Sequence, residues 1–225
     1  MKRILMIGIL AALLISCEKE QNVVEEGKIV LFSMEEYQIN YDGGEVFWKS
    51  DNPMIASVNQ SGLVIALTVG KTDILAGSRV YEVEVIPKYD DFIEPYHDWN
   101  APREYLEKYM EEKCGDGTIY AEESIYYDDT HLATYTYVFD ERDNVKLFQI
   151  DTSLVFAEIF TYWLTERYFL MGEKENVYYL VTSDMDMAVM YGVNSSLGLT
   201  AIMFPFTDDT RVVNNMREEL INLLH

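Results

Sequence analysis

Thiols, imidazoles and basic side chains are all scarce in this chain, and each scarcity removes a class of chemistry. The 225 residues contain 2 cysteines, Cys17 and Cys114. Cys17 closes the N-terminal apolar run, so a single thiol remains downstream. One thiol cannot form an internal disulfide, and the fold must rest on packing. The 3 histidines, His97, His131 and His225, have no metal-ligand spacing such as H-E-x-x-H. Lysine and arginine total 17 against 39 acidic residues, a net charge of −22. Such a surface repels nucleic acid and anionic membranes, and suits neutral glycans, basic partners or loosely held cations. No Gly-rich phosphate loop, no G-x-S-x-G and no basic patch occurs. What is abundant is apolar: 49% hydrophobic and 13% aromatic residues, enough for real cores.

Long apolar runs are also rare, and the clearest lies at the start. Met1-Lys2-Arg3 is followed by an uncharged stretch from Ile4 to Ser16. A bilayer span needs about 20 apolar residues, so this reads as a basic n-region and a short h-region. Its end, Leu14-Ile15-Ser16-Cys17, resembles the lipobox of bacterial lipoproteins. The resemblance implies a signal peptide over 1–16, acylation of Cys17 and a polar tether over 17–26. Several acyl chains, at about 0.8 kcal/mol per buried CH₂, would hold permanently. The acidic Glu18-Lys19-Glu20 and Glu25-Glu26 are similar to the export signals of surface lipoproteins of Gram-negative, Bacteroidota-like type. The expectation is an outer-membrane lipoprotein exposed at the cell surface.

Residues 27–88 form short apolar runs at intervals near ten residues: Ile29–Phe32, Glu45–Trp48, Ile55–Val58, Leu63–Leu67, Thr72–Ala76 and Val80–Val85. Turn residues separate them, among them Asp42-Gly43-Gly44, Ser50-Asp51-Asn52-Pro53 and Asn59-Gln60-Ser61-Gly62. Without helical period, this predicts a small β-sandwich. The order Trp48-Lys49-Ser50-Asp51-Asn52-Pro53, then Ala56-Ser57-Val58, Gly62-Leu63-Val64 and Gly70, resembles the bacterial Ig-like domain, group 2. That resemblance implies an Ig-like sandwich, a spacer or adhesion role, and no catalytic site. Trp48 reads as a core residue.

Pro87 to Pro95, with two prolines and several charges, reads as a short, stiff connection, and the linker is assigned to 89–101. The second module, 102–225, is predicted as α+β, an antiparallel sheet with helices on one face in the order αβββ-αβββ-α. Its first helix has Asn100 as cap and Pro102 in the first turn, and stops at Cys114-Gly115. Thr118–Tyr127, Ala133–Phe139 and Val145–Ile150 are strands. Asp151-Thr152-Ser153 caps a core helix reaching Phe169, and Val177–Thr182, Met187–Val193 and Leu197–Phe206 are strands. Asp208-Asp209-Thr210 caps a last helix with Val213, Met216, Leu220 and Leu224 on one stripe. The Trp99-Asn100-Ala101-Pro102 opening and the Tyr137–Asp140/Val145–Leu147 hairpin are similar to C-terminal domains of Ig-containing lipoproteins from gut-type bacteria, a likeness that carries no activity.

Seventeen tyrosines are the compositional oddity. Two readings stand side by side: tyrosines packing a half-buried sheet, or a sheet face left uncovered that presents Tyr135, Tyr137, Tyr178, Tyr179 and Tyr191 to a glycan or protein. Carboxylates gather at Asp128-Asp129, Asp140-Glu141-Asp143, Asp184/Asp186 and Asp208-Asp209, all at expected turns or caps, where Asp serves the backbone. No calcium-loop motif is present, and Cys114 reads as a packing residue. The expectation is a non-enzymatic protein without metal or cofactor, held to the membrane through Cys17, with an unknown protein or glycan ligand. The alternatives are a periplasmic assembly factor and a hydrolase with a carboxylate pair that meets only in space.

Overall fold

In the computed structural model, residues 24–25, 27–96, 98–194 and 198–205 are described, 24–25 in their backbone alone. The acylation candidate Cys17, His97, His225, Asp208-Asp209 and the predicted last helix lie outside these residues.

The first module contains β1 (Val24–Glu25), β2 (Lys28–Phe32), β3 (Glu36–Gln38), β4 (Trp48–Ser50), β5 (Ala56–Val58), β6 (Leu63–Ala66), β7 (Gly70–Ala76) and β8 (Arg79–Ile86). One sheet runs β1-β2-β8-β7-β4 and the other β3-β6-β5. β2 lies parallel to β8, and every other pair in the module is antiparallel. Alternation places Ile29, Leu31, Val64, Ala66, Ile74, Ala76, Val83 and Val85 between the sheets. Trp48 joins that core, 5% exposed, as expected. The predicted strand Glu45–Trp48 is corrected: the strand begins at Trp48, and Glu45 and Phe47 are exposed in the preceding loop. The turn at 59–62 explains part of the motif. Asn59 accepts the Ser61 and Leu63 amides through Oδ1, and Gly62 has φ +82° with the Trp48 ring beneath it.

The second module holds α1 (Arg103–Cys114), β9 (Thr118–Ile119), β10 (Glu123–Asp128), β11 (Ala133–Phe139), β12 (Val145–Thr152), α2 (Ala157–Arg167), β13 (Phe169–Lys174), β14 (Val177–Val181), β15 (Met187–Asn194) and β16 (Gly198–Pro205). The eight strands make one antiparallel sheet, β13-β14-β15-β16-β12-β11-β10-β9. Two helix-plus-four-strand units thus lie side by side, joined where β12 pairs with β16.

Several expectations change in detail. The single strand predicted over 118–127 is broken at 120–122, leaving the short β9. Asp151 and Thr152 belong to β12, and Ser153 caps a 3-10 turn ahead of α2, its Oγ accepting the Val155 amide. α2 stops at Arg167 because Tyr168 is extended, and β13, read as helix end and loop, follows at once. Pro102, without a side-chain hydrogen bond, precedes α1 where Asn100 was expected to cap it.

The helices pack on one face, over Tyr126, Tyr135, Tyr137, Phe148, Ile150, Val189, Tyr191, Ala201 and Met203. The opposite face is not uniformly open, which corrects the picture of helices covering one side of a half-exposed sheet. On β14 to β16 it carries a second buried cluster of Val177, Ala188, Met190, Ile202 and Phe204. Consecutive residues of β15 and β16 are therefore buried on both faces.

Candidate functional site

The tyrosines singled out by sequence converge on the protein's own chain. Tyr135 and Tyr137 are 0% and 1% exposed, under the helices. Their hydroxyls accept backbone amides of the segment entering the module: Ile93 N–H donates to Tyr135 Oη at 3.1 Å, and Tyr96 N–H to Tyr137 Oη at 2.8 Å. Burial pushes both phenols well above their ordinary pKa, so they remain neutral hydrogen-bonding groups. Tyr191 is buried too, its hydroxyl paired with Thr161 Oγ1 at 2.6 Å and its ring stacked on Tyr178. Tyr178 is half-buried against the helix-side core, and Tyr179 faces the other way, against the second cluster. The expected open tyrosine platform of Tyr135, Tyr137, Tyr178, Tyr179 and Tyr191 is thus corrected. The reason is the pleat: Tyr135 and Tyr137 point to the helix side, and Thr134, Thr136 and Val138 take the other.

The segment those tyrosines hold is the predicted linker. Phe92, 3% exposed, packs against the stacked pair Phe160 and Trp163 at ring separations of 4.7 and 5.8 Å. Tyr89 stacks on Tyr162 at 5.2 Å. Tyr109 donates its hydroxyl to the Glu94 carbonyl at 2.9 Å. Among the described residues of the linker, Phe92 and Ala101 join the second core, and Tyr89, Ile93, Tyr96 and Trp99 pack against it.

The C-terminal end of α2 is the anchor. Glu166 and Arg167 are 6% and 7% exposed. The Glu166 carboxylate accepts the Lys88 and Tyr89 amides at 3.0 Å. An acid at a helix C-terminus is disfavoured by the helix dipole, and these charge-assisted bonds offset that. The Glu166 carbonyl accepts the Val69 amide at 2.6 Å, reaching into the first module. Arg167 donates from Nε to Glu94 and from Nη1 to the Tyr89 carbonyl. Its guanidinium also lies 4.9 Å from the Trp163 ring centre. On the first module Asn52, the asparagine of the Trp48–Pro53 motif, accepts the Met54 amide through Oδ1 and donates Nδ2 to the Ser183 carbonyl at 3.0 Å. One residue thus sets a turn and bridges the modules. Sequence reasoning missed Glu166 and Arg167; the available signal was an acid–base pair closing an otherwise apolar helix.

Other candidates resolve as follows. His131 Nδ1 lies 2.7 Å from Asp128 and its ring packs against Phe92 and Phe156, a structural position beside the linker. Burial pushes the Cys114 thiol up to about 11, which suits packing and suppresses thiolate chemistry. Asp140 accepts the Arg142 and Asn144 amides, the turn role expected of it. Asp151, on the sheet face away from the helices, is half-buried. Its oxygens accept Thr200 Oγ1 and Gln149 Nε2, each at 2.6 Å, and desolvation raises its pKa despite those bonds. Among the described residues, no group of three His, Cys, Asp or Glu could hold a metal ion. In the first module an open groove of about 700 Å³ is lined by Asn40, Tyr41, Asp42, Glu45, Gln60 and the edge of Trp48.

The family model of the bacterial Ig-like domain (group 2) matches residues 14–80. With the two packed sheets and the Trp48–Pro53 turn, the first module is an Ig-like domain. Its last strand, β8, continues past the matched range to Ile86. No curated protein matches the chain.

Proposed function

We propose that this is a non-enzymatic cell-envelope lipoprotein, anchored in the outer membrane through acylated Cys17, in which the Ig-like domain is a spacer. It holds the eight-stranded module away from the membrane to bind a protein or glycan at the cell surface. The observation that carries the reading is the docked junction. Glu166 and Asn52 tie the modules together and Arg167 holds the linker beside them, and a spacer that presents its cargo in one direction needs such a tie. The Ig-like domain supports a surface or adhesion role. Nucleic acid is a poor partner for a chain of net charge −22. The hydrolase reading has less support, since both oxygens of the half-buried Asp151 are already engaged by Thr200 and Gln149.

The test is protease shaving of intact and lysed cells, together with labelled-palmitate incorporation into the wild-type chain and Cys17→Ser. Loss of the second module from intact cells and label on the wild type alone support the proposal. Protection until lysis moves the protein to the periplasm, where an assembly role replaces adhesion. Label in Cys17→Ser, or none in either chain, overturns the anchor.

A further inference from the structure

We infer that β13 is a docking edge, adding an extended basic segment of a partner protein to the sheet as a further strand. This rests on the reading that the second module binds a partner, and names the surface and the partner chemistry. β13 stands at one end of the sheet, and among the described residues it pairs only with β14. After Phe169 every one of its residues is exposed, and Leu170 and Met171 are 50% and 57% exposed. A sheet edge offers a row of backbone donors and acceptors that an extended peptide matches directly.

The opposite edge is built differently. β9 has 2 residues. Beside it Arg103, stacked 4.3 Å over Phe139, donates to the Tyr120 and Ala121 carbonyls at 2.6 and 2.9 Å. That end of the sheet is short, with nearby carbonyls already occupied. β13 has 6 residues, about 20 Å of ladder, with its apolar side chains at the bulge between Leu170 and Gly172. A bulge twists an edge and shortens the usable ladder, so the docked strand should be brief.

Charge selects the occupant. Glu173 and Glu175 lie at the far end of β13, while Asp184 and Asp186 lie one strand inward, in the β14–β15 turn level with its start. The nearby Lys174 is already 3.8 Å from Glu175. A second copy of a chain with net charge −22 would bring like charge to this edge, whereas lysine or arginine around a short apolar centre is complementary.

The experiment is amide hydrogen exchange on the purified chain, with peptides of about eight residues that alternate Lys and Val, or Glu and Val. The inference expects slowed exchange within 169–174 with the Lys peptide, and binding about tenfold weaker or worse for the Glu peptide. Leu170→Lys, checked for folding by circular dichroism, should weaken the Lys peptide by about tenfold. Met171→Pro, which removes a backbone donor at the bulge, serves the same end should Leu170→Lys fail to fold. No binding, equal binding of both peptides, protection elsewhere, or self-association through these amides each overturns it. None of these results depends on which side of the membrane the protein occupies.

Discussion

The Tyr137 hydroxyl accepts the Tyr96 amide at 2.8 Å, so a tyrosine deep in the sheet holds the strand of chain that enters the module. Tyr137→Phe keeps the ring and removes the acceptor. The Tyr96 amide then loses its partner, which costs about 1–3 kcal/mol. Denaturant unfolding measures the loss, and hydrogen exchange at Tyr96 should speed up more than exchange in the Ig-like domain. Unchanged exchange at Tyr96 would contradict this role for the hydroxyl.

The same logic applies more strongly at the junction. Arg167 donates to Glu94 and to the Tyr89 carbonyl from a side chain that is 4% exposed. Arg167→Ala leaves Glu166 and Glu94 without their nearest cation. Glu94 is 41% exposed, so the cost falls below that of breaking a fully buried pair, about 3–5 kcal/mol. Glu166→Gln, milder, keeps one acceptor for the Lys88 and Tyr89 amides and loses about 1.5–3 kcal/mol. Small-angle scattering should show a broader distribution of inter-module angles in both variants. A scattering profile identical to wild type would show that the linker docks without this anchor.

Asp151 makes a pH prediction. Burial raises its folded-state pKa above the ordinary carboxylate value. Between the unfolded and folded pKa values the native state binds more protons, so its contribution to stability falls as pH rises through that window. Below the window the cost is absent, and above it the cost is complete. Asp151→Asn keeps the shape and removes the charge. The variant should gain stability relative to wild type as pH rises from about 4 towards 7. Asp128 and Glu84, whose pKa values are lowered through hydrogen bonds from His131 and Lys28, act oppositely, losing their contribution as pH falls. Both are present in each protein, so comparing melting temperatures across pH isolates Asp151. A constant difference would rule out the raised pKa.

Gly62→Ala tests the Ig-like turn. Gly62 has φ +82°, and an added Cβ would meet the Trp48 ring at 2.7 Å. The left-handed backbone costs about 1–2 kcal/mol for a residue with a Cβ, and the clash adds to it. Thermal unfolding should show a lower midpoint for the first module. Gly44→Ala, at φ +83° with open space around it, should lose less.

Much of the first module was legible because its turns are chemically specific. Asn59-Gln60-Ser61-Gly62 and Ser50-Asp51-Asn52-Pro53 can do little else than turn, and the alternation between them places the core. The second module was legible at the level of elements and less so at their ends. Asp151-Thr152-Ser153 has the residues of a helix cap, yet Asp151 and Thr152 pair with Thr200 and Leu199 in the sheet. Cross-strand pairing overrode a local preference.

The sequence by itself determined an Ig-like sandwich built on Trp48, and an alternating β11 with Tyr135, Tyr137 and Phe139 on one side. It also determined the acidic surface and the single downstream thiol. Tertiary structure alone decided which side that tyrosine row faced, because alternation is the same whether its apolar side meets a helix or water. It likewise decided that Phe92 would leave the linker for the core, and that Glu166 would find the Lys88 amide 78 residues away in the chain. No local pattern encodes those contacts, since each depends on where two distant stretches meet.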